Sequence, residues 1–262
     1  MTKPFNWKLF LILWLAGTFG VIAVIPYSLT LQSEMLKNLE LPMPLPALLA
    51  LQIVQGSIIL GILTALGLLL ANRIGLGAPI LEAWLNKESI SEKIKSILPI
   101  SIILGVIAAL VIIGLDVYGF QPMLLNELGE QAYALSPASQ PKAWQGFLAS
   151  FYGGIGEELQ LRLFFMSLLA WLGSFIVKPI NGKANNSVLW IANILAAIVF
   201  GLGHLPTAAL IFPLTTLVMI RIILLNSIGG IIFGWLYQTR GLESAMLAHF
   251  SADIVLHVLF AI

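Results

Sequence analysis

The chain has 262 residues, of which 59% are hydrophobic and only 10% charged, with a net charge of +1 and no cysteine. A soluble domain carries about 25% charged residues to face water, so this composition cannot cover a water-facing surface and calls for lipid as the outer solvent. Nothing in the near-neutral charge suggests a polyanion partner, and the missing cysteines exclude disulfides, thiolate metal sites and a cysteine nucleophile.

Spanning helices need about 20 mostly apolar residues. The first such stretch, Leu9–Ser33, is too long for the apolar core of a signal peptide, and no small-residue cleavage site follows it. It reads as a first membrane helix. Leu41–Asn72 and Ser96–Leu115 follow, and between them Ile80–Ile97 mixes apolar positions with Glu82, Lys87, Glu88, Glu92 and Lys93. That mixture predicts an amphipathic helix in the interface. Asp116–Lys142, with Pro122, Pro137 and Pro141, reads as the one long loop.

Trp144–Val177 is apolar except for Glu157, Glu158 and Arg162 in its middle. Ala184–Ile220 is charge-free but too long for one span, and Pro206 and Pro213 are expected to divide it. Ile222–Thr239 and Ser244–Ile262 complete an all-α bundle of about eight membrane helices, or seven if Thr207–Ile220 is only re-entrant. The whole chain, 1–262, reads as a single membrane domain.

Lys3 and Lys8, then Arg73, Lys87, Lys93 and Lys95, then Lys178 and Lys183 fall on alternate connections. The intervening loops hold Lys37 and Lys142 among Glu34, Glu40, Glu127 and Glu130. Basic residues mark the cytoplasmic side, so the N-terminus is expected there. With eight crossings the C-terminus is cytoplasmic too, and Arg240 is left on the far side as an exception.

A charge at the bilayer centre costs about 2.5–3.5 kcal/mol on insertion scales, so the intramembrane polar residues demand an explanation. Arg162 follows Glu158 by four residues on the same helix face, which predicts an intrahelical ion pair and leaves Glu157 free. His204 stands in Phe200-Gly-Leu-Gly-His204 just before Pro206, and His249 and Asp253 lie one turn apart on the last helix. His257 continues that row and reads as a packing residue. A carboxylate, two imidazoles and a second carboxylate in three apolar segments are the inventory for activating water. The same inventory suits a zinc ion held by Glu157, His204 and His249. It also suits a transporter or proton relay, or a scaffold that keeps these groups for structure. Transporters usually repeat their broken helices in both halves, whereas here the polar residues all lie in the second half.

Glu157-Glu158-Leu-Gln-Leu-Arg162, Phe200-Gly-Leu-Gly-His204 and His249-Phe-Ser-Ala-Asp253 together resemble the three motifs, EExxxR, FxxxH and HxxxN/D, of the CAAX-protease and bacteriocin-processing family. That family includes the type II CAAX prenyl endopeptidases, and the resemblance runs over 144–262. Prenyl-protease members usually end the third motif in Asn, and Asp253 stands there in this chain, as in many bacterial members. The resemblance implies an intramembrane endopeptidase acting on peptide or membrane-protein substrates, lipidated or not, with no nucleic-acid partner. It implies that Glu157 activates the hydrolytic water with help from His204. His249 and Asp253 would support the oxyanion or position that water, and Glu158 and Arg162 would shape the site. The metal-free, glutamic form of the chemistry is favoured, with zinc as the alternative. A non-enzymatic bacteriocin-immunity role is the competing expectation from the same family.

Overall fold

A computed structural model describes residues 4–37, 40–129 and 140–260. Lys3, Glu130 and Pro137, which entered the topology argument, lie outside them. The described residues form helices and turns with no strand, an all-α membrane bundle as expected. Helix α1 (Trp7–Leu31) starts at Asn6, whose side chain accepts the Leu9 N–H at 3.1 Å, and is interrupted at Val24, just ahead of Pro26. A short helix, α2 (Ser33–Lys37), leads to α3 (Leu45–Ile74), which stops at Gly75 in the left-handed region, φ 74°. Glycine adopts that conformation without steric cost. Then come α4 (Pro79–Leu85), α5 (Ser91–Leu128), α6 (143–173), α7 (Asn186–Gly203), α8 (Thr216–Arg240) and α9 (Leu242–Leu259).

Among the described residues, six helices are long and apolar enough to cross a membrane: α1, α3, α5, α7 with its continuation to Ala208, α8 and α9. Helix α6 is equally long but carries the three central charges. The difference from eight lies at Thr207–Ile220. There α7 is followed by a single turn, Leu205–Ala208, and by bends up to Thr215, where α8 begins. Pro206 and Pro213 break the segment as expected, but the pieces are too short to cross. Two other boundaries move. The amphipathic segment is not one helix but two pieces, Pro79–Leu85 and the first turns of α5 from Ser91, divided where Lys87 takes a positive φ of 61°. The expected loop after Leu115 is helical to Leu128, since Asp116 forms a two-pronged salt bridge with Arg221 of α8 at 2.5 and 2.6 Å.

The missing crossing also relocates the chain ends. Helix α1 packs antiparallel on α3 and its start lies near α4, whereas the end of α9 packs on the start of α6. The two ends therefore lie at opposite ends of the bundle, against the expectation that both share one side. Arg240 donates to the Ser96 carbonyl at 3.2 Å, at the same end as Arg73 and Lys183, so it is no longer an exception.

Burial runs opposite to that of a soluble protein. Large aliphatics such as Leu51, Ile58, Ile103 and Leu110 face outward, as lipid permits. Inside, glycines let backbones approach: Gly67 lies on Leu163, Gly105 on the Ala248 carbonyl and Gly20 on Phe151. A clamp fixes the start of α9. Gly241, φ 98°, turns the chain between α8 and α9 against the Pro79 ring, and the Leu242 N–H donates to the Gly77 carbonyl at 3.0 Å. Glu243 accepts the Ile80 and Leu81 N–H groups at 2.9 and 2.8 Å. Small-to-large substitution at a tight crossing should separate the helices. Gly105→Val is expected to cost about 1–3 kcal/mol and lower the melting temperature in detergent, read by thermal unfolding of the purified protein.

Candidate active site

The central stretch of α6 is wound more widely than an α-helix: Tyr152–Glu157 and Leu159–Met166 are π-helical. Such winding is rare and tends to mark functional positions. Here it accompanies a run of Gly153, Gly154 and Gly156, residues with low helix propensity whose missing side chains admit neighbours. Gly153 is such a place. A Cβ there would collide with the Asp253 carboxylate and lie 3.2 Å from His249 Nε2.

Glu157 and Glu158 point into different surroundings. The Glu158 side chain is fully buried, and its Oε1 lies 3.2 Å from Arg162 Nη1 and 2.8 Å from His249 Nδ1. The expected Glu158–Arg162 pair is present, but Glu158 has a second task that the spacing alone did not disclose. A carboxylate only accepts, so His249 Nδ1 carries the proton of that hydrogen bond. Nε2 is then turned toward Glu157 and Asp253, each at 3.6 Å. Arg162, 1% exposed, donates through Nη2 to the Gly230 carbonyl at 2.8 Å and lies over the rings of Phe200 and Phe233. Phe233 stacks on the His249 ring, with centroids 4.5 Å apart.

His204 caps the end of α7. Its Nδ1 is 2.8 Å from the Phe200 carbonyl, again an acceptor, so Nδ1 is the donor and Nε2 faces Glu157 at 4.0 Å. The Glu157 carboxylate thus stands between two imidazole Nε2 atoms supplied by α7 and α9. These contacts are too long for direct hydrogen bonds, and polar groups at such separations call for a bridging water.

The structure brings together all six residues singled out from the sequence: Glu157, His204, His249 and Asp253 around one point, with Glu158 and Arg162 behind them. His257 stays apart, its Nδ1 3.4 Å from the Tyr27 hydroxyl. The sequence reading missed Phe233, Gly230 and Gly153. Phe233 and Gly230 carry no chemistry of their own and belong to no motif, so only their contacts reveal them; the glycine run beside Glu157 was the available signal for Gly153. As for zinc, no group of three His, Asp or Glu side chains among the described residues is arranged to hold a metal ion.

Removing one partner of a buried ion pair leaves a charge uncompensated, at a cost of about 3–5 kcal/mol. Arg162→Ala is therefore expected to lower the yield of folded protein in the membrane and its melting temperature. Normal yield and melting of that variant would refute the structural role of the pair.

Comparison with known families agrees with this geometry. The family model described as type II CAAX prenyl endopeptidase Rce1-like matches residues 139–255, a stretch that contains the candidate site residues on α6, α7 and α9. No curated protein and no solved structure matches the chain. Over residues 139–255 the chain is thus similar to the type II CAAX prenyl endopeptidases.

Proposed function

We propose that the protein is an intramembrane endopeptidase that hydrolyses peptide bonds with a water held at Glu157. The observation that carries this reading is the placement of one part-exposed carboxylate between the Nε2 atoms of two histidines whose Nδ1 protons are both committed elsewhere. Two acceptors that do not touch, the Glu157 carboxylate and His204 Nε2, suit a water molecule, which donates two hydrogens and offers a lone pair to a carbonyl carbon.

In this mechanism Glu157 takes a proton from the water as the oxygen attacks the scissile carbonyl, giving a tetrahedral intermediate. His204 orients the water and shares its proton. The C–N bond then breaks, and the proton held at Glu157 passes to the leaving amine. His249, protonated at Nε2 as well as Nδ1, donates to the developing oxyanion, and Asp253 keeps that imidazole directed at the substrate carbonyl. Glu158 holds the His249 ring through Nδ1, and Arg162 balances Glu158. The substrate is a peptide or a segment of a membrane protein, with or without a lipid.

Glu157→Gln preserves the side chain's shape and removes its basicity. It should lower proteolysis by about 10²–10⁴-fold, with His204→Ala and His249→Ala also inactive and all three still folded. The measurement is cleavage of a substrate peptide by purified protein in detergent, followed by mass spectrometry. Full activity of Glu157→Gln would refute the mechanism. Chelation separates the metal-dependent alternative: zinc chelators should leave activity unchanged, and elemental analysis should find no stoichiometric metal. Loss of activity restored by added zinc would transfer Glu157, His204 and His249 to the role of ligands.

A further inference from the structure

The two ends of the bundle differ in charge. Lys8, Arg73, Lys87, Lys93, Lys95, Lys178, Lys183 and Arg240 lie at the end that holds the start of α1, helix α4 and the turn between α8 and α9. The opposite end has Lys37, Lys142 and Arg221. Lys37 is paired with Glu34 at 2.9 Å, and Arg221 with Asp116. Such an asymmetry in short connections sets orientation, so the basic end is cytoplasmic.

The candidate site is shut toward that basic end. Beyond Glu157 in that direction come Glu158 and Arg162, at 0% and 1% side-chain exposure, and the buried rings of Phe200 and Phe233. Helix α7 packs along residues 159–173 of α6, whereas residues 143–157 of α6 pack on α1 and α9. The C-terminal end of α7 and the first half of α6 share no extensive packing, and His204 approaches Glu157 across the gap between them. The two most exposed groups of the site are those that face this gap, Glu157 at 20% and His204 at 36%. His204 itself stands at the end of α7, next to the exposed Pro206 and Thr207, on the side away from the basic connections.

We propose that the site receives its substrates from the extracytoplasmic half of the membrane, through the gap between the first half of α6 and the end of α7. The substrate class is then a peptide segment of an exported or membrane-anchored protein presented at the extracytoplasmic leaflet, not a tail presented from the cytosol. This inference rests on the reading of Glu157 and His204 as the groups that meet the substrate. It also accounts for the burial gradient: water and substrate enter from one side, and the charged pair that fixes the site is sealed from the other.

The chain has no cysteine, so single cysteines can be placed in the full-length protein without removing any native thiol. Thr207→Cys and Ala209→Cys sit beside His204, and Ser187→Cys and Thr239→Cys sit at the basic end; all four positions are exposed. The probe is a membrane-impermeant maleimide applied to intact bacterial cells, then to permeabilised cells. Labelling of positions 207 and 209 in intact cells, with 187 and 239 labelled only after permeabilisation, is the expected result. The reverse pattern places the gap on the cytoplasmic side and overturns the proposal. The labelling is independent of catalysis, so full activity of Glu157→Gln would sink the hydrolytic mechanism and leave the side of access to be read from the maleimide alone.

Discussion

Arg162 is a permanent cation sealed inside a bundle whose outer surface is aliphatic. Arginine cannot shed its charge as a buried lysine or carboxylate can, so the protein must answer it with fixed partners. Those partners come from several helices: Glu158 from α6 itself, Phe200 from α7, and the Gly230 carbonyl and Phe233 from α8. Glu158 passes the constraint on to α9 by accepting from His249. The arrangement of four helices is thereby tied to one ion pair. Lipid supplies no water for stray polar groups, so a misplaced helix would leave a charge bare.

The same constraint explains why two adjacent glutamates do different work. One neighbours the guanidinium and is buried; the other faces the gap and is part-exposed. Buried charges in lipid are costly, and here the buried pair is held by fixed partners while the neighbouring carboxylate stays part-exposed. The glycines before Glu157 let α9 approach α6, which places Asp253 and His249 against a backbone instead of a side chain.

Charge asymmetry acts at a larger scale. The basic residues gather at one end of the bundle, and the buried Glu158–Arg162 pair lies between that end and the part-exposed Glu157. Arg240 illustrates this. Counted on eight helices it was out of place, and with Thr207–Ile220 folded back it joins Arg73 and Lys183 at one end.

The sequence by itself determined the solvent, the helical class and the inventory of candidate site residues. Composition required lipid, apolar stretches located the helices, and intramembrane charges are so costly that Glu157, Glu158 and Arg162 stood out without any fold. The i,i+4 spacing was enough for the Glu158–Arg162 pair, because both residues share one helix. Only the tertiary structure decided what depends on contacts between segments. It gave Glu158 its hydrogen bond to His249, extended α5 past Leu115 through the Asp116–Arg221 pair and enclosed Arg162 between Phe200 and Phe233. It also decided the number of crossings, because a charge-free segment broken by two prolines has the same hydropathy whether it spans the membrane or folds back. The neighbours that settle such a choice are distant in the sequence, and local composition carries no record of them.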